Sequence, residues 1–447
     1  MYEEQNERPQ QTQRPPVRRK RRKKTKWQIF KEAYLPLLIL LLGFILVIML
    51  LVGLVKLIFS DKKPDTTETT EGTATSQTTL PAEPQGAAAE VLSQAAAKAA
   101  GYDYEGAIAL LEAYTGKDEQ VAAQLDTYKA TLDALVPWQD STVVTQISFQ
   151  PIVADPARAF DGDDQADFYY RNNLTVKEFK TVLEQLYAKG YVLVSQKQMA
   201  AADESGKFVA GSIRLPEGKK PLVMSQVPSH YLKEQAKDGF ADRLVVNENG
   251  AITCEYTDAE GVKSQGAYDF VSILEEFISL HPDFSYRGAR AILTFSGAKD
   301  PLGYDLTNTE EAAQAKVVTE ALRKAGYVFA SFTYGEIPYV DSSAEEIKKD
   351  VQSWKETYDE LLGPVDILIY AGGSELEEYA GEKFDVLMEA GFRYFCGMNN
   401  SDPAWGKMGD NYLRQDRRTI TGARIMEQGD MVADLFDASS IMSDPRS

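Results

Sequence analysis

Side chains able to do chemistry are few in this chain, and they gather where an α/β fold would place a site. Four segments each follow a strand-like run: Val227-Pro228-Ser229-His230, Phe332-Thr333-Tyr334-Gly335-Glu336, Ala371-Gly372-Gly373-Ser374 and Cys396-Gly397-Met398-Asn399-Asn400. In parallel α/β folds, ligands bind beyond the carboxyl ends of the strands. These tips offer one imidazole, one carboxylate, one thiol and several hydroxyls and amides. That set suits hydrogen bonding to a polar ligand and is poor in metal ligands. The chain has only two histidines, His230 and His281, too few for an imidazole-rich metal centre. His230 is the one candidate general base among the tips, although a lone histidine is more often a surface or hydrogen-bonded residue. His281 reads as a helix-end or turn residue. Asp161, Asp163, Asp164 and Asp167 lack the Asp-x-Asp-x-Asp-Gly order of a calcium loop and read as solvated charge. Tyr334, Tyr370, Phe332 and Trp405 could offer aromatic faces to sugar rings. With His230, Ala371 and Gly372, the residues Tyr334, Tyr370 and Trp405 define the candidate groove. The two cysteines, Cys254 and Cys396, cannot make a disulfide framework; whether they meet stays open.

The elements that would carry these tips are legible in four helix-glycine-strand units. Thr175 and Glu178 form a capping box whose helix ends at Gly190 before a strand at 191–195. A helix at 310–325 ends at Gly326 before a strand at 327–331. Ser343 and Glu346 cap a helix that ends at Gly363 before 365–370. A helix at 382–390 ends at Gly391 before 392–395. Such alternation predicts an α/β domain with a parallel sheet, open or closed into a barrel. Further strands are expected at 143–153, 222–226 and 289–296. Residues 244–246 and 251–256 flank Asn247-Glu248-Asn249-Gly250, which reads as a β-hairpin insertion.

Charge divides the chain. The net charge is -19 overall, yet residues 1–59 carry +8 and the rest carries -27. A body so acidic is a poor polyanion binder, which excludes nucleic acid as the main partner. Residues 34–55 hold no charge and are mostly Leu, Ile and Val, long enough for a hydrocarbon core of ~30 Å. The basic run 18–24 precedes them and predicts a cytoplasmic amino terminus, with the large domain outside the cell. The expected organisation is a basic tail (1–33), a transmembrane helix (34–59), a Thr/Pro/Glu-rich disordered linker (60–86), a helical segment (87–136) and the α/β domain (140–447). The helical segment carries Ala-rich periodicity similar to a single tetratricopeptide hairpin, too short for a solenoid core of its own.

Residues 140–447 resemble the polysaccharide deacetylases (NodB homology, carbohydrate esterase family 4), in a membrane-anchored branch with an inserted hairpin. The likeness rests on AFDGDD (159–164), LTVKEFKTVLEQLYAKGYVLVS (174–195), LPEGKKPLVMSQ (215–226), GFADRLVVNENG (239–250), HPDFSYRGARAIL (281–293), YGEI (334–337), GPVDILIYAGG (363–373) and EAGFRYFCGMNN (389–400). The resemblance implies a distorted (β/α) barrel of NodB type. It also implies hydrolytic removal of acetyl groups from cell-wall glycans, with a divalent metal, typically zinc, activating water. The sequence departs from the family at the positions that chemistry needs. Val227 stands where the resemblance puts the base Asp. Pro228, Phe332 and Glu336 stand at the metal-ligand positions, and Ala371-Gly372-Gly373 replaces the groove-lining Pro-aromatic-Gly. The expectation is therefore a cell-surface protein without cofactor and without deacetylase activity, binding cell-wall polysaccharide or a surface protein. Two alternatives stand beside it: an active, zinc- or other metal-dependent carbohydrate esterase with an unorthodox site, and an interaction scaffold acting through the helical segment.

Overall fold

The protein is described by a computed structural model, which covers residues 86–297, 300–398, 406–442 and 446. The chain divides into two units, Met1–Thr79 and Leu80–Ser447. The first unit lies outside the described residues. So do the expected tail (1–33), the expected membrane segment (34–59) and all of the expected linker (60–86) except Gly86.

The described chain opens with three helices: α1 (Ala87–Ala100), α2 (Tyr104–Ala113) and α3 (Glu119–Ala134). Asp103 and Asp118 cap α2 and α3 by accepting hydrogen bonds from their first-turn amides. Small residues pack between the helices, with Ala88, Ala95, Ala99 and Ala107 buried beside Leu111 and Val121. So small a core gives these helices little stability alone, and they dock on the rest of the domain. The amide of Arg287 donates to the carbonyl of Gly101 at 2.6 Å. A Cβ at Gly101 would lie 2.9 Å from the Ser285 carbonyl, so only glycine permits this approach. Tyr102 is buried, with its ring stacked 6.4 Å from that of Tyr286.

The domain is built on ten strands in one sheet. They are β1 (Thr145–Phe149), β2 (Tyr191–Leu193), β3 (Lys220–Gln226), β7 (Ile292–Phe295), β8 (Val328–Ser331), β9 (Ile367–Ile369), β10 (Tyr394–Gly397), β11 (Gly406–Met408), β12 (Leu413–Asp416) and β13 (Arg418–Ile420). Strands β4 (Arg243–Val246), β5 (Ile252–Thr257) and β6 (Lys263–Gly266) form a separate antiparallel sheet. The residues 247–251 make the turn between β4 and β5, whose last pair is Val246 with Ile252. The large sheet runs β11-β12-β10-β9-β8-β7-β3-β1-β13, with β2 also paired to β3. Every pair is parallel except β11 with β12.

Helices α4 (Val176–Ala188), α5 (Phe270–Leu280), α6 (Thr309–Ala325), α7 (Ala344–Leu362) and α8 (Glu382–Glu389) accompany the strands, and α9 (Gly422–Glu427) follows the last. The boxes Thr175/Glu178 and Ser343/Glu346 cap α4 and α7 as their sequence predicts. Strand alternation separates two apolar layers. Leu222, Met224, Leu293, Phe295, Leu368 and Phe395 share one core with apolar residues of the helices. Val223, Ile292, Ala330, Ile367, Ile369 and Cys396 share another, inside the curl of the sheet. Cys254 and Cys396 are both buried free thiols, one in each core.

The expected fold is corrected in one respect. In place of a (β/α) barrel of NodB type, the sheet is a mixed, curled half-barrel whose path of paired strands is open. The ends of the curl approach at Arg417. On one side of it β12 pairs with β10, and on the other β13 pairs with β1. The buried Arg417 guanidinium fills the seam, donating to the carbonyls of Tyr370, Cys396 and Gly397 at 3.1–3.2 Å. Burial lowers its pKa to about 10. The transmembrane helix expected at 34–59 falls outside the described residues. Among the described residues no helix is long and apolar enough to cross a membrane.

Candidate functional site

Three side chains on one face of α7 fix the tips of β7 and β8. Asp350, Trp354 and Tyr358 stand four residues apart, which places them on the same helix face. The Asp350 carboxylate accepts the amides of Tyr334 and Gly335, both at 2.7 Å, and the Tyr339 hydroxyl at 2.8 Å. Trp354 donates its indole N–H to the Phe295 carbonyl at 2.7 Å, and Tyr358 donates its hydroxyl to the Ser296 carbonyl at 2.5 Å. The loop after β8 is thereby held in an unusual shape. Thr333 and Glu336 have φ of 60° and 51°, a region that costs a non-glycine residue ~1–2 kcal/mol. Gly297 lets this loop close on β7: its amide donates to the Tyr334 carbonyl at 2.7 Å, and a Cβ there would lie 2.6 Å from the same oxygen.

The tip of β3 joins the same place. Ser229 ties it to β7, its amide donating to the Thr294 carbonyl at 2.8 Å and its hydroxyl accepting the Thr294 amide at 3.1 Å. His230 is buried. Its Nε2 accepts the Ser296 amide at 3.1 Å, with the Ser296 hydroxyl 3.3 Å away. An Nε2 that accepts places the proton of the neutral ring on Nδ1. Nδ1 is buried without a hydrogen-bond partner among the described residues. Burial lowers the His230 pKa to about 4, so the ring is neutral at ordinary pH. The Ser296 hydroxyl donates to Glu336 Oε1 at 2.8 Å.

This chain of His230, Ser296 and Glu336 is not a nucleophilic triad. In a triad the imidazole takes the serine proton, and the acid orients the far side of the ring. Here the carboxylate holds the serine proton, the imidazole nitrogen is engaged by a backbone amide, and Ser296 is fully buried.

At the positions where the resemblance puts base and ligands, the structure brings together apolar surface. Val227, Phe332 and Ala371 are 6%, 8% and 5% exposed and belong to the core inside the curl. Pro228 is half-buried beside them, and Glu336 is exposed. Val227, Pro228 and Phe332 carry no donor atom, and Glu336 already accepts from Ser296. These residues do not fit a divalent metal. Among the described residues no group of three or more His, Cys, Asp or Glu side chains is placed to hold one.

The remaining candidates scatter. Tyr334 is exposed at the mouth. Tyr370 is fully buried, its ring 6.4 Å from that of Phe395, and cannot line an open groove. Gly372 is exposed in the short turn after β9, with φ of 58°. Trp405 lies outside the described residues. His281 caps the carboxyl end of α5, and Asp161, Asp163, Asp164 and Asp167 are exposed. A groove of about 720 Å³ runs beside the mouth, lined in part by Leu232, Lys233, Gly297, Asp300, Tyr334 and Tyr358. Sequence reading missed Ser296, Asp350 and Arg417. For Asp350 a signal was there, since an acidic residue in line with Trp354 and Tyr358 on an otherwise apolar stripe needs a reason to be buried. Ser296 and Arg417 gave no such signal, because each is defined by partners distant in the chain.

No family model matches the chain, and no curated protein matches it. Among solved structures it is similar to one described as Streptococcus pyogenes deacetylase PplD in complex with acetate. The likeness covers 64% of this chain and 94% of that one, at 13% identity and a TM-score of 0.34.

Proposed function

We propose that this protein is a deacetylase-like binding module that holds cell-wall polysaccharide at the mouth of its curled sheet without hydrolysing it. The observation that carries the reading is the apolar closure of the mouth by Val227, Phe332 and Ala371. Hydrolysis of an acetamide needs an activated water and a group to take up developing negative charge. Aliphatic and phenyl groups supply neither. Retention of sugar needs less: an aromatic face and polar groups beside it. The groove next to the mouth has the exposed ring of Tyr334, with Asp300 and Lys233 as polar partners. A place at the cell surface accords with the basic run 18–24 ahead of the apolar run 34–55.

The test is incubation of the purified chain with acetylated wall polysaccharide, following both co-sedimentation and acetate. Retention without acetate release is expected, with Tyr334→Ala weakening retention roughly tenfold, as loss of one stacking ring would. Acetate release that a metal chelator abolishes would overturn the reading.

A further inference from the structure

Away from the mouth, the domain contains a built pocket for a guanidinium group. Arg446 donates from Nε and Nη2 to the two oxygens of Glu178 at 2.9 and 2.8 Å. Nη2 also reaches the Asn173 carbonyl at 2.6 Å, and Nη1 reaches the carbonyl of Tyr170. The guanidinium carbon lies 5.0 Å from the centre of the Phe160 ring and 4.8 Å from that of Tyr170. The side chains of Arg446 and Glu178 are 1% and 0% exposed. Room for Nη1 exists because residue 422 is glycine, where a Cβ would come within 2.7 Å of it.

The walls are held by contacts of their own. Glu178 Oε2 accepts the Thr175 amide at 2.8 Å in the box that starts α4. The Asn173 side chain donates to the Pro151 carbonyl at 2.8 Å. The rings of Phe160 and Tyr170 meet edge to face at 5.4 Å. Pro151 and Gly422 each follow the end of a strand by two residues, β1 and β13, which pair with each other. The pocket therefore sits on the rim of the sheet's carboxyl end. Its fork of two carboxylate oxygens, its carbonyls and its ring faces match a planar guanidinium and not an ammonium.

We propose that this is a receptor pocket for an arginyl side chain, filled by the chain's own Arg446 and able to take an alkylguanidinium when Arg446 is withdrawn. Withdrawal leaves Glu178 buried without its counter-charge, which favours refilling. The test is chemical rescue in the full chain. Arg446→Ala is expected to lower the thermal midpoint by roughly 5–10 °C. Ethylguanidinium at low millimolar concentrations is expected to recover at least half of that loss and leave the parent unmoved. Ethylammonium at the same ionic strength is expected to recover none. Adding Glu178→Gln to Arg446→Ala is expected to remove the rescue. An Arg446→Ala chain as stable as the parent, equal shifts in variant and parent, or equal rescue by ethylammonium would each overturn the proposal. If Arg446→Ala does not fold alone, it is refolded in the presence of each cation: folding with ethylguanidinium and not with ethylammonium is expected, and failure to fold with ethylguanidinium, or equal folding with both, would overturn the proposal.

Discussion

The two ends of the curled sheet both hold non-glycine residues in the left-handed region, and they use them differently. At the amino end, Tyr102 and Arg287 have φ of 63° and 53°. There the strained backbone docks α1–α3, through the Arg287 amide on the Gly101 carbonyl and the Tyr102 ring on Tyr286. At the carboxyl end, Thr333 and Glu336 are equally unusual, but one carboxylate, Asp350, holds their loop. Polar atoms there, His230 Nδ1 and the Thr333 hydroxyl, are buried without a hydrogen-bond partner among the described residues. Strain alone therefore does not mark a site, since a docking joint shows as much of it. Strain together with buried, unpartnered polar atoms separates the mouth from the joint.

Three perturbations sharpen this contrast, taken in falling order of size. Asp350→Ala strips two amides and a hydroxyl of their acceptor and is expected to cost ~4 kcal/mol, read by urea unfolding. Retention of polysaccharide should fall with it, because the loop carries Tyr334. Tyr102→Ala at the other end is expected to cost ~3 kcal/mol by loss of a buried ring, with retention unchanged in the protein that remains folded. A loss of retention equal to that of Asp350→Ala would break the distinction between the two ends. The third is a pH effect confined to the mouth. The folded His230 has a pKa of about 4, below the ~6.5 of an unfolded histidine. Between these values the unfolded chain binds the extra proton. Stability from this group is thus fully present above the unfolded value and is lost as pH falls toward the folded one. The expected loss is ~2 kcal/mol between pH 6.5 and pH 5, read as the difference in acid-limb slope between the parent and His230→Gln. An identical slope in both would show that His230 is not held neutral by its surroundings.

Much of the scaffold was legible in the sequence because its signals are local. The boxes Thr175/Glu178 and Ser343/Glu346 start helices by hydrogen bonds within one turn. Gly326, at φ 112°, ends α6 as a left-handed cap. The tips were legible as places, since they follow strands. Their inner arrangement was not. Whether the sheet closes depends on how Arg417 sits between two pairings, with β10 and with β1, whose partners lie far away in the chain. The engagement of Glu336 by Ser296 likewise joins residues forty apart in sequence. Tyr370 read as a groove residue because aromatics suit sugars, yet alternation along β9 turns it into the packed layer between sheet and helices. Arg446 and Glu178 were invisible as a pair for the same reason, being 268 residues apart.

In the proposed reading, apolar side chains close the mouth and leave no site for a divalent metal there. The most direct measurement is the metal content of the purified full chain after dialysis against zinc-containing buffer and removal of loose ions. Well below one zinc per chain is expected, unchanged by Glu336→Ala, because Val227, Pro228 and Phe332 offer no ligand atom. One tightly held zinc per chain, lost in Glu336→Ala, would contradict it.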